Sequence, residues 1–221
     1  MALVLNIDTS VETASVCLSD HTEMLQLRVN TGRKTHVSWL HPAIQKIISD
    51  QQIKITAIEA IAVTIGPGSY TGLRVGLSAA KGLCYALGIP LITVNTLEVM
   101  AYSTKNEPGG SLLCPMIDAR RNEVFTAVYK KDLLEVIKPC NMIINEKSFD
   151  ELLVSGKIIF SGNGALKLKS LIHHPNAIFS NKAATAADMI HLSAGYFQQN
   201  RFSDVAYTEP LYLKEFYSPP R

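Results

Sequence analysis

Gly66-Pro67-Gly68-Ser69-Tyr70-Thr71-Gly72-Leu73-Arg74 is the stretch whose reading decides what kind of fold this chain adopts. Before it, residues 58–65 are Ile, Ala, Val and Thr broken by Glu59, the pattern of a strand buried on both faces. Gly66 and Gly68 open backbone angles denied to other residues, and Pro67 fixes one φ between them. Ser69 or Thr71 stands where an N-cap is needed, for a helix predicted to start near Gly72 and to run over 72–87. Gly88 supplies its C-cap, and Pro90 prevents its resumption. A buried strand, a glycine turn and a helix in succession point to an α/β protein. Free N–H groups at the start of such a helix suit an anion, so Ser69, Thr71 and Gly72 are candidate phosphate-binding residues. The turn is not a Walker loop, because the Gly-Lys-Ser/Thr ending is absent.

Upstream, strands are predicted at 3–7, 14–18 and 24–29, the first ending in the polar turn Asp8-Thr9-Ser10. A helix over 37–49 follows, with Val37, Leu40, Ile44, Ile47 and Ile48 on one face and Trp39 off it. Downstream come a strand at 91–94 and a helix reaching 103, opened by Asn95 with Glu98 at capping-box spacing. Residues 106–111, with one Pro and two Gly, are the candidate boundary between an N-terminal subdomain, 1–106, and a C-terminal one, 107–221. Past it the strand meander repeats, at 112–117, 124–129 and 133–137. A polar helix near 148–154, a strand at 157–160 and the turn Ser161-Gly162-Asn163-Gly164-Ala165 come next. Helices are predicted at 165–172 and 185–199, the latter with Thr185 and Asp188 at capping spacing, and residues 207–220 are expected to wrap back over the body.

Each half thus reads strand, strand, strand, helix, strand, helix. That order predicts two ribonuclease-H-like (actin-like, ASKHA) subdomains facing one another across a cleft, each a mixed five-stranded sheet flanked by helices. In that architecture the turn after the first strand of each half handles phosphate, which points to Asp8 and Thr9 and to Asp118. Gly162 and Gly164 then stand where a nucleotide would be approached. The competing reading makes Asp8 and Asp118 turn-forming residues after a strand.

Composition narrows the choices. With 221 residues and a net charge of +2, the chain is large enough for a real core and announces neither a nucleic-acid nor a membrane-surface binder. Cys17, Cys84, Cys114 and Cys140 have neither zinc nor redox spacing and read as buried free thiols of a reducing compartment. The N-terminus has no signal-peptide pattern, no apolar run is long enough to span a bilayer, and a cytoplasmic protein is expected.

The helix over 72–87 is apolar almost all round, its polar stripe being Arg74, Ser78 and Lys81. Gly72, Gly76, Ala80 and Cys84 recur every fourth residue, a smooth ridge that either packs on its own sheet or admits another helix. Trp39, Leu40, Leu73, Leu77, Ala80 and Lys81 are the candidate partner-facing residues.

The chain resembles the TsaB (YeaZ-like) family, the smaller actin-like subunit of the bacterial machinery for threonylcarbamoyladenosine on tRNA. The resemblance rests on Leu5-Asn6-Ile7-Asp8-Thr9-Ser10, the block from Gly66 through Lys81-Gly82-Leu83, Gly88-Ile89-Pro90-Leu91, Thr96-Leu97-Glu98 and Asp118-Ala119-Arg120-Arg121-Asn122-Glu123-Val124. Ser161-Gly162-Asn163-Gly164-Ala165 and Glu209-Pro210-Leu211-Tyr212-Leu213 extend it along almost the whole chain. It implies a non-catalytic subunit that dimerises with a TsaD-type catalytic subunit, works with a TsaE-type ATPase and meets tRNA through the complex. A homodimer is expected when the chain is alone, because it would hide the same apolar helix face from water. The catalytic relative carries a His-x-x-x-His metal pair; aligning Glu98 with its glutamate puts Thr96 and Met100 at the histidine positions, so no metal is expected here. No cofactor is expected to be held stably, with ATP or ADP confined to the assembled complex. The alternative is a stand-alone actin-like ATPase or kinase, with Asp8 and Asp118 holding Mg-phosphate. A metalloprotease reading fails for want of a His-Glu-x-x-His helix. Arg33, Lys34, Arg120, Arg121, Lys167 and Lys169 are the basic residues available to tRNA phosphates.

Overall fold

The structure, a computed structural model, describes residues 2–31 and 35–214. The first half contains β1 (Leu3–Asp8), β2 (Ser15–Asp20), β3 (Glu23–Val29), α1 (His36–Asp50), β4 (Ala60–Gly66), α2 (Tyr70–Leu87), β5 (Leu91–Asn95) and α3 (Thr96–Thr104). The second contains β6 (Leu112–Asp118), β7 (Glu123–Lys130), β8 (Glu135–Ile143), α4 (Asp150–Ser155), β9 (Ile158–Ser161), α5 (Ala165–Lys169), β10 (Ala177–Phe179) and α6 (Ile190–Gln198). The sheets run β3-β2-β1-β4-β5 and β8-β7-β6-β9-β10, the same topology twice. In each, the first three strands are antiparallel and the last two join parallel. The duplicated, mixed five-stranded architecture expected from the sequence is therefore present.

Central parallel strands need cover on both faces, and β1 and β4 alternate accordingly. Leu5, Ile7, Ile61 and Val63 point to a core closed by Leu40, Ile44 and Ile47 of α1 and Leu77 and Ala80 of α2. Val4, Ala60 and Ala62 point the other way, to Met189, Ile190 and Leu192. The boundary expected at 107 is thereby corrected: Thr185 onward belongs by packing to the first sheet, with Ser193 Oγ donating to buried Asn6 Oδ1 at 2.6 Å. Helix α3 is a shared layer, since its Leu97, Met100 and Ala101 pack with Leu113, Ile117, Ala127 and Ile159 of the second half.

Side-chain caps set the N-terminal ends of α2, α3 and the 3-10 turn before α6. Ser69 accepts from Gly72 N, so α2 starts at Tyr70, before the expected Gly72. Asn95 accepts from Leu97 N, but Glu98 turns away to Tyr196 and leaves the capping box half made. Thr185 and Asp188 complete theirs around the short 3-10 turn Ala186–Met189 that leads into α6. Strand β8 runs past Pro139, beyond the predicted end at 137, and β10 had no counterpart in the sequence reading. Val37, assigned to the apolar face of α1, is 59% exposed.

Residues 203–214 strap the molecule, as expected for the described part of the tail. Ser203 N donates to Leu91 O, Lys81 Nζ to Ala206 O and Thr208 O at 3.0 Å each, and Leu211 N to Ile65 O at 2.7 Å. Lys214 then reaches Glu123 of the second half at 2.8 Å. Among the described residues no helix is long and apolar enough to cross a membrane. Cys17, Cys84 and Cys114 are buried free thiols, and burial pushes them up to about 12, 11 and 12, so they stay protonated at neutral pH.

Candidate functional site

The cleft between the halves is built by three turns. The first follows β1. Asp8 is 2% exposed, and its Oδ1 accepts from Ser10 N at 3.0 Å, Ser10 Oγ at 2.6 Å and Thr64 Oγ1 at 2.8 Å. Thr9 Oγ1 donates to Gly72 O at 2.7 Å, and Ser69 N to Ser10 O at 2.7 Å. The second turn, from β4 to α2, is therefore stitched onto the first. The glycines permit it: a Cβ on Gly68 would meet Ser10 O at 2.2 Å, and one on Gly72 would meet Thr9 O at 2.1 Å. Gly76 belongs to the same contact, its Cβ position lying 2.3 Å from Thr9 Oγ1. The small-residue ridge packs on the chain's own turn.

The third turn follows β6. Asp118 is exposed; its Oδ1 accepts from Lys167 Nζ and from Arg120 N, both at 2.6 Å, while its own N–H donates to Asn163 Oδ1 at 2.9 Å. What burial it has works against ionisation, yet the Lys167 ammonium and the Arg120 amide hold its carboxyl below the usual carboxylate range. Lys167 also donates to Arg121 O at 2.5 Å, which occupies the ammonium that the sequence offered to tRNA. Arg33 and Lys34 lie outside the described residues. Gly162, with φ 86°, and Gly164 sit against Met116, where a Cβ on Gly162 would meet Met116 O and Met100 Cε, each at 2.3 Å.

These turns enclose a mouth of about 630 Å³ lined by Ser69, Thr71, Asp118 and Arg120, and a deeper cavity of about 160 Å³ lined by Asp8, Thr96, Met100, Ser161, Gly162 and Lys182. Of the expected phosphate residues, Ser69, Thr71 and Asp118 share the mouth and Asp8 and Gly162 the inner cavity. Thr9, Gly72 and Gly164 stand behind as packing and hydrogen-bonding supports. Thr64, the partner of Asp8, was overlooked by the sequence reading; a lone hydroxyl in an apolar strand was its signal.

The metal of the catalytic relative does not fit. At the two aligned positions Thr96 presents a buried hydroxyl without a partner, and the Met100 thioether end packs toward Gly162. Among the described residues no three His, Cys, Asp or Glu side chains group as a metal site would need. The inner cavity alone is smaller than the roughly 300–1,000 Å³ of small-molecule pockets, and it shares Ser10, Val11, Glu12 and Asn163 with the wider mouth.

The partner-facing residues need correction. Leu40, Leu73 and Ala80 are 0% exposed and Leu77 is 4% exposed, all in the chain's own core. Trp39 is half-buried against the same cluster, folded along its own subdomain, and Lys81 holds the tail. The outward face of α2 consists instead of Arg74, Ser78, Gly82 and Tyr85, with Tyr85 86% exposed; Val37 and His41 of α1 are exposed as well.

A profile of the family described as "TsaD: tRNA N6-adenosine threonylcarbamoyltransferase" matches residues 30–215. The tRNA threonylcarbamoyladenosine biosynthesis protein TsaB of Escherichia coli K12 is 29% identical over 224 residues, 96% of this chain and 94% of that protein. The TsaB protein of Bacillus subtilis 168 is 35% identical over 138 residues, 62% of this chain and 59% of that protein. Among solved structures, YeaZ from Pseudomonas aeruginosa matches with a TM-score of 0.84 and 23% identity over 96% of this chain and 100% of that one. A second, of an uncharacterized protein with similarity to peptidase YeaZ from the same organism, matches with a TM-score of 0.86 at 23% identity over 97% and 100%. At that identity the two structures speak to the fold alone.

Proposed function

The chain belongs to the TsaB/YeaZ family, and on that premise we propose that it is the accessory, non-catalytic subunit through which a TsaD-type enzyme forms threonylcarbamoyladenosine on tRNA. The observation that carries the reading is the pair Thr96 and Met100. A buried hydroxyl and a packed thioether stand where the alignment puts the catalytic relative's two histidines, and neither replaces an imidazole as a ligand for the ion that such a pair grips. Asp8 and Asp118 support it, since their carboxylates are engaged in fixing turns.

Dimerisation is assigned to the outward face of α2 with its neighbour α1, where Tyr85 is the large exposed anchor. Alone, the chain uses the same face to pair with a second copy. A TsaE-type ATPase and tRNA join through the complex, and ATP or ADP is bound there rather than held by this chain. Reconstitution with TsaD-type and TsaE-type partners tests the role. Modification should require this chain and should survive Thr96→Val, whereas ATP turnover by the isolated chain would overturn the reading in favour of an actin-like ATPase. Tyr85→Glu should lower co-purification with the TsaD-type subunit at least tenfold and leave the melting temperature unchanged; undiminished capture would move the interface elsewhere.

A further inference from the structure

A second cavity, of about 510 Å³, opens between the halves without sharing a lining residue with the cleft. Residues two apart on a helix face nearly opposite ways, so Glu98 looks into it from the side of α3 away from Thr96. Its volume is that of a small-molecule pocket. Tyr129 lies on its wall, 2% exposed; its hydroxyl has no hydrogen-bond partner among the described residues and is not sealed from solvent, so it opens onto the cavity.

The lining selects a ligand by charge and shape. Glu98 accepts from Tyr196 Oη at 2.8 Å to each carboxylate oxygen, and burial above all, with Glu135 nearby, raises its carboxyl above the ordinary value. Arg201 lies over the Tyr196 ring at 4.0 Å, which leaves two carboxylates against one guanidinium. An anion is repelled. A divalent metal lacks a third carboxylate or imidazole. Ile65, Leu133 and Leu134 line the same wall and suit a run of methylenes.

We propose that this cavity binds the primary ammonium end of a linear aliphatic amine, held by Glu98, Glu135 and the Tyr129 hydroxyl, with its methylene chain along Leu133 and Leu134. An ammonium brings three donors and meets charge-assisted acceptors here. A free diamine and a lysine side chain share this chemistry. Calorimetric titration of the full chain with 1,5-diaminopentane and with Nα-acetyl-lysinamide distinguishes them by which binds tighter, and uncharged 1,5-pentanediol is the control. Saturable binding of one amine at or below about 1 mM is expected, at least tenfold weaker for the diol and for the Glu135→Gln chain. Glu135 is exposed on β8, so that substitution tests the site without threatening the fold. Tyr129→Phe should weaken binding severalfold at an unchanged melting temperature. No saturation by about 10 mM, equal affinity for the diol, or indifference to both substitutions overturns the proposal.

Discussion

Replacing Thr64 by Val leaves the volume of β4 nearly unchanged but removes the 2.8 Å donor to buried Asp8. A buried carboxylate short of a donor should lower stability by about 1–3 kcal/mol, read as a fall in the urea midpoint with an unchanged slope. Thr64→Ser, which restores the hydroxyl, should recover most of it. At this scale the sequence was legible in kind and illegible in pairing. Asp8 and Asp118 follow strands and initiate turns, which their residue type announces. That Asp8 is sealed by Thr64 while Asp118 faces solvent under Lys167 depends on contacts across 56 and 49 residues, which no local pattern encodes. The glycines of α2 were misleading for the same reason: a four-residue spacing marks a smooth face, and only the position of the β1 turn tells which neighbour the face admits.

Helix α2 shows how an element can be predicted well and its use misassigned. Its span and caps followed from Ser69 and Gly88, yet Leu73 and Leu77, expected at a partner, are interior. Leu77→Glu therefore places a charge in the first core, and a loss of several kcal/mol with collapse of the thermal transition is expected. Selective loss of partner binding in a normally melting Leu77→Glu chain would contradict this packing. The link between α5 and the β6–β7 turn carries a pH signature. Asp118 is lowered in the folded state, so its contribution is present at neutral pH and disappears as pH falls through and below the ordinary value of 3.8. Asp118→Asn should then be less stable than the native chain at pH 7, by under about 1 kcal/mol for so exposed a pair, and the two should converge in acid. Strand β10 escaped notice because three residues between Asn176 and Ser180 are too few to show a period.

Over the whole molecule, the repeat of strand, strand, strand, helix, strand was written in the hydrophobic pattern and gave the paired sheets. The closing of the molecule was not, because it is made by the far end of the chain. Lys131 Nζ donates to Lys105 O and Glu107 O at 2.5 and 2.8 Å, Lys182 Nζ donates to Ser103 O, and the strap joins β4, β5 and α2 to Glu123. A chain ending at residue 184 keeps every strand but exposes Val4, Ala60 and Ala62. It should bind a hydrophobic dye and lose its cooperative transition; an unchanged, dye-silent transition would contradict the return of α6 to the first sheet.

The return of α6 to the first sheet also imposes a timetable on synthesis. Asn6 leaves the ribosome 187 residues ahead of Ser193, its hydrogen-bond partner. At roughly 5–20 residues per second that is about 10–40 s during which one face of β1 and β4 has no lid. The duplicated halves suggest maturation one after the other, but the first is completed by residues made after the second, so on that face a nascent chain must be shielded or stay unfolded until α6 has emerged.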